Sequence, residues 1–164
     1  MFRSHVPAAA GRRSAWMTLG LTTALLAAAA VYAQQPAAPA KSPLAYSGDA
    51  GMIIHYVKAD KAGDFEMVMG KVKEALNKSD NPERKKQAAG WKLFKTEEPG
   101  PSGAVIYMSI MEPVVKDVEY SVVKILTEGF PNDVRALYEN YTQAFVNPPG
   151  QVPFHLNISI DFSK

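Results

Sequence analysis

Two stretches of this chain repeat one apolar spacing, and the repeat narrows the fold more than any other feature. Phe65, Val68, Met69, Val72 and Leu76 stand at offsets 0, 3, 4, 7 and 11, and Val134, Leu137, Tyr138, Tyr141 and Phe145 stand at the same offsets 69 residues later. A period near 3.6 places each set along one stripe of an α-helix. The first helix is predicted over Ala62 to Lys78, with Asp60 or Asp64 as its cap and Asn81-Pro82 as its stop. The second follows Pro131-Asn132-Asp133, with Asn132 as the cap candidate, and ends at Asn147-Pro148-Pro149-Gly150. Such stripes need an apolar surface to cover.

That surface is supplied by segments of a different period. MIIHYVK, Met52 to Lys58, is rich in β-branched and aromatic residues and apolar on both faces, which predicts a central strand. AGWKLFKT, Ala89 to Thr96, and AVIYMSIM, Ala104 to Met111, are predicted as two more strands joined through the Pro/Gly turn EEPGPSG. HLNISIDF, His155 to Phe162, alternates strictly: Leu156, Ile158, Ile160 and Phe162 on a face expected to be buried, and His155, Asn157, Ser159 and Asp161 on a wet one. PERKKQ, Pro82 to Gln87, reads as a charged, solvated connection that admits one helical turn. Val118, Val122, Ile125 and Leu126 keep helical spacing until Gly129, adding a short helix before the second main one. Each long helix thus lies between two strands. The order predicts an α+β, ferredoxin-like βαββαβ domain, a four-stranded antiparallel sheet with helices on one face.

The chain begins differently. Arg12-Arg13 precede an apolar run that closes on Val31-Tyr32-Ala33, the layout of a secretory signal cleaved after Ala33. From Ala15 to Ala33 there are seven alanines and three threonines, and this weak hydrophobicity favours cleavage over retention as an anchor. The arginine pair also admits a twin-arginine reading, against which Ala15 stands where a bulky apolar residue is usual. Residues 34–50, rich in Pro and Ala, are read as a linker, leaving residues 51–164 as the domain. The expected location is outside the cytoplasm, periplasmic or secreted.

Charge and composition then exclude several classes. The net charge of +2 over 164 residues includes Arg3, Arg12 and Arg13; without them 15 basic residues face 16 acidic ones, a mature charge of −1. A near-neutral surface gives no basis for nucleic acid or an anionic membrane as partner. The absence of cysteine removes disulfides, thiol nucleophiles and thiolate metal sites.

The residues that could do chemistry are few. His55 and His155 are the only histidines after the signal, and they would meet if their strands are neighbours in the same register. With Asp161 they would make a metal site, but no His-x-His or Glu-x-x-His spacing supports one, so no metal is expected. Ser159, His155 and Asp161 share a face without a nucleophile elbow or an oxyanion hole, which makes a hydrolase triad a poor reading. His155 and Asn157 lead the polar face, which is an exposed sheet face unless a second subunit covers it and demands partners. His55, Tyr107 and Trp91 stand on strands, where aromatics serve a core or line a small-molecule pocket. The candidate ligand-binding set is therefore His55, Tyr107, His155, Asn157 and Trp91.

Three stretches, MIIHYVKADKAGDFEMVMGKVKEAL, AAGWKLFKTEE and AVIYMSIMEPV, resemble the dimeric α+β barrel superfamily, which includes antibiotic-biosynthesis monooxygenase-like domains. They fall within residues 52–114, and HLNISIDF fits by position. The resemblance implies a homodimer in which two sheets meet, with a pocket between sheet and helices in each subunit. Some members are cofactor-independent oxygenases and some bind haem. This chain departs from them in its signal segment and in the added stretch from Pro113 to Gly129. Three expectations follow: an exported domain, small-molecule-binding or structural and without a cofactor; an oxygenase-like enzyme using His55, Tyr107 and His155 on an aromatic or apolar substrate; or a haem protein with His55 or His155 as axial ligand.

Overall fold

A computed structural model describes residues 42–148 and 150–163. The signal segment and residues 34–41 of the linker lie outside the described residues. The elements in chain order are β1 (Ala50–Val57), α1 (Ala62–Lys78), α2 (Pro82–Gly90), β2 (Trp91–Lys95), β3 (Val105–Met111), α3 (Val122–Gly129), α4 (Val134–Gln143) and β4 (Gln151–Leu156). The four strands form one antiparallel sheet in the order β2-β3-β1-β4. This α+β arrangement is compatible with the ferredoxin-like expectation, and it makes β1 and β4 neighbours.

Burial alternates along the central strands. Gly51, Ile53, His55 and Val57 of β1 and Tyr107, Ser109 and Met111 of β3 are buried, while Met52, Ile54, Tyr56, Met108 and Ile110 are half-buried on the opposite face. The buried row meets α1, α3 and α4 in a core of Val57, Phe65, Val68, Val72, Leu76, Tyr107, Ile125, Leu126, Leu137, Tyr141 and Phe145, among others. Phe65 is its hub, with ring centroids of His55, Tyr107, Phe145 and Tyr141 at 5.2, 4.8, 5.8 and 6.1 Å. At the other end of the sheet a smaller cluster joins Tyr46, Ile53, Met111, Val114 and Tyr120. Gly51 makes this possible: a Cβ there would stand 2.8 Å from ring atoms of Tyr46. Gly129 likewise lets α3 approach α1, since its Cβ would lie 2.5 Å from that of Ala75.

Helix α1 spans the predicted residues, but neither aspartate caps it. Lys61 is the cap residue, and its ammonium instead pairs with Asp64 at 3.0 Å. Asn81-Pro82 starts a helix and does not merely end one: Asn81 Oδ1 accepts from the Glu83 amide at 2.9 Å, and Pro82 occupies the first turn of α2. The supposed connection PERKKQ is therefore helical throughout. Its buried residues are Arg84, Gln87 and Gly90. Arg84 donates from Nε and Nη2 to Glu128 at 2.8 Å each and from Nη1 to Gln87 and the Glu119 carbonyl at 2.7 and 2.9 Å. This clasp ties α2 to α3 and to the loop before it. On α4 the cap position is Asp133, not Asn132, and Tyr138 is 46% exposed, so it leaves the buried stripe.

Two further boundaries move. Residues 42–50, read as linker, include the fully buried Tyr46 and pack with the domain. The last strand lies at 151–156, not 155–162. It pairs with β1 up to Ala50↔Leu156, where β1 begins, so no neighbouring strand remains for the residues that follow. Pro153 is tolerated because β4 is an edge strand. The apolar face expected to be buried is instead exposed, from 37% at Leu156 through 61% and 70% at Ile158 and Ile160 to 95% at Phe162.

Candidate functional site

The helix-facing side of the sheet carries two cross-strand rows. One row runs Lys95, Tyr107, His55 and Gln151 across β2, β3, β1 and β4; the other runs Trp91, Met111, Gly51 and His155. Four residues separate them along each strand, roughly 13 Å at the rise of a β-strand. His55 and His155 thus share a face without sharing a register, and a joint metal site does not form. Among the described residues no group of three or more His, Cys, Asp or Glu is placed to hold a metal.

His55 is fully buried. Its Nε2 shares a 2.9 Å hydrogen bond with Ser109 Oγ, its ring lies between Phe65 and Phe145, and Nδ1 has no hydrogen-bond partner. Burial disfavours the imidazolium and lowers the pKa to about 3. This is a neutral core histidine. Tyr107, beside it in register, sends its hydroxyl to Glu66 at 2.5 Å, where Lys95 also donates at 3.0 Å. The bond from Tyr107, and then that from Lys95, holds the Glu66 carboxyl below the usual carboxylate range. Burial first, and then the bond to Glu66, pushes the Tyr107 phenol up.

In the second row, His155 donates from Nε2 to the Pro43 carbonyl at 3.1 Å, and its ring packs on Tyr46 at 4.8 Å. Asn157 lies past the end of β4 and is exposed, with Ser159 and Asp161 beyond it. Of the expected polar strand face only His155 is on the strand; Asn157, Ser159 and Asp161 lie beyond it. His55 is enclosed by aromatic rings and Ser109, and His155, on the exposed edge strand, is held against the chain before β1.

Trp91 is the candidate that does meet open space. It begins β2 immediately after α2, and its ring lies edge-to-face on Tyr120 at 5.5 Å. With Leu93 it lines a cleft of about 450 Å³ between α1, α2 and β2. Val72, Leu76 and Met69 of α1 and Ala88 and Ala89 of α2 complete the apolar lining, and Glu66, Lys73, Asn77 and Lys85 supply the polar groups. A cleft of this size, apolar within and polar at a few points, is the usual form of a small-molecule site. His55 and Tyr107 do not line it. Sequence reasoning missed Lys73, Lys85 and the α2 wall, and the signal that could have found them was Asn81-Pro82, an N-cap followed by proline at the first helical position.

Compared with protein-family models, with curated proteins and with solved structures, the chain matches none.

Proposed function

We propose that this chain is the precursor of an exported, ferredoxin-like domain that binds a small molecule and works as a homodimer of the dimeric α+β barrel kind. The observation that carries the binding reading is the cleft between α1, α2 and β2, which is open while the space around His55 is filled. The oxygenase-like alternative asks for His55 or Tyr107 at a cavity wall. Instead His55 is packed between aromatic rings and Tyr107 is bonded to Glu66. Export rests on the basic, apolar and small-residue layout of residues 1–33.

The homodimer is supported by the sheet's other face. An antiparallel sheet with one wet face carries polar residues there. Here the outward rows are Met52, Ile54 and Tyr56, then Ile106, Met108 and Ile110, flanked by Phe94, Val152 and Phe154, with Lys92 beside Ile110 as the charged residue on this face. Phe94 and Phe154 are 45% and 39% exposed, and Ile158, Ile160 and Phe162 of the tail after β4 are exposed as well. A contiguous apolar patch of this kind marks an interaction surface, and a two-fold axis would set it against its own copy. Light scattering on protein recovered from the exported fraction of the host tests both proposals together. The expected species is a dimer lacking residues 1–33, which Ile54→Lys with Met108→Lys converts to a folded monomer. A wild-type monomer at micromolar concentration would overturn the dimer, and an uncleaved cytoplasmic chain would overturn export.

A further inference from the structure

We infer that the α1–α2–β2 cleft selects an amphipathic anion, an apolar body bearing one carboxylate-like head. The inference rests on the reading of the domain as a small-molecule binder and adds the ligand class. Shape comes first. Leu93, Val72 and Leu76, with the ring of Trp91, give the cleft a largely apolar lining; the one polar atom these four side chains carry, Trp91 Nε1, is buried and has no hydrogen-bond partner. Any charged or hydrogen-bonding part of the ligand must therefore sit at the polar rim.

The rim has a definite sign. Of the three lysines on α1, Lys71 and Lys78 both hold Glu74, at 2.9 and 2.6 Å. The third, Lys73, lines the cleft, and neither it nor Lys85 of α2 has a carboxylate partner among the described residues. Glu66 is the only acid in the lining, and it is already engaged by Tyr107 at 2.5 Å and Lys95 at 3.0 Å. Asn77 turns its amide back onto the Lys73 carbonyl at 2.7 Å. What remains at the mouth is two unpaired ammonium groups above an apolar lining. That suits a negative head on an apolar body and penalises a cationic one.

A separate observation indicates that the space is kept clear. Gly70 lies inside α1 on the cleft wall, and a Cβ built there meets nothing within 4 Å. Packing against the rest of the chain does not call for a glycine at this position, and a helix interior disfavours one. Because residue 70 belongs to the cleft lining, a large side chain there is the substitution that competes with a ligand for this wall.

The test uses the full chain and three single-chain probes, decanoate, decanol and decylammonium, titrated by calorimetry at low salt. Decanoate should bind about tenfold more tightly than decanol, a few-fold for each partly exposed ammonium, with decylammonium weakest. Lys73→Gln with Lys85→Gln should bring decanoate down to the level of decanol and leave decanol unchanged. Gly70→Leu should abolish binding of both, and Gly70→Ala, which no contact opposes, should weaken it without lowering Tm. If all three probes bind alike, the ligand class is wrong while the cleft remains a binding site. If no probe binds, or if Gly70→Leu leaves binding intact, the inference and the binding reading fall together.

Discussion

The burial of His55 makes the fold acid-sensitive in a calculable way. Above the ordinary histidine value of 6.5 the imidazole is neutral in both folded and unfolded chains and pH changes nothing at this residue. Below it the unfolded chain takes up a proton that the folded chain refuses until its own pKa, about 3, is reached. A folded pKa depressed in this direction means that stability is lost as pH falls from 6.5 toward 3. Each unit is worth about 1.4 kcal/mol, so moving from pH 7.5 to pH 5 should cost roughly 2 kcal/mol through this one side chain. That is a large share of a typical domain's margin. Urea unfolding followed by tryptophan fluorescence at the two pH values measures it, with His55→Gln as the reference. Glutamine can still bond to Ser109 but does not titrate, while His155 and every carboxylate are common to both proteins and cancel. The wild type should lose about 2 kcal/mol more than the variant between pH 7.5 and pH 5. Equal losses in the two proteins would refute the assignment of His55 as a neutral core residue.

The same core and clasp yield further expectations. Phe65→Ala removes the ring that His55, Tyr107, Tyr141 and Phe145 surround, and chemical denaturation should register a loss of about 3–5 kcal/mol. Arg84→Ala strips four hydrogen bonds from a buried guanidinium, and should cost about 2 kcal/mol because Glu128 is left within reach of water. Gly129→Ala forces a Cβ to within 2.5 Å of Ala75; it should lower Tm, and Ala75→Gly in the same chain should restore most of the loss. Tyr107→Phe deletes the strongest influence on Glu66, so the Glu66 carboxyl should titrate at higher pH in carbon-detected NMR while the fold persists.

Legibility in the sequence followed the kind of face each segment buries. Helix α1 was recovered over its full length because its buried residues Phe65, Val68, Met69, Val72 and Leu76 are apolar and periodic. Helix α2 was hidden because what it buries is Arg84, Gln87 and Gly90, and polar burial leaves no apolar stripe to detect. For His55 the sequence left core and pocket wall both open, and its partner Ser109 gave no signal: two polar residues in otherwise apolar rows are buried by bonding to each other. Of the five candidate site residues, only Trp91 reaches the cleft, since strand position alone does not tell a side chain in a filled core from one at an open edge. The last strand shows the deeper limit. Alternation in HLNISIDF predicted two strand faces, but the strand ends at Leu156, and arithmetic of period two says neither where pairing stops nor which side is covered. Within one chain the answer is neither, because β1 ends the pairing at Leu156 and leaves Ile158, Ile160 and Phe162 exposed. If a second copy covers the bare sheet face, it is also what gives that apolar row a surface to meet. Deleting residues 157–164 should then weaken dimerisation in sedimentation equilibrium while leaving the unfolding midpoint of the isolated monomer variant unchanged. A truncated chain that dimerises as tightly as the full one would separate the tail from the interface and leave its alternation without a structural role.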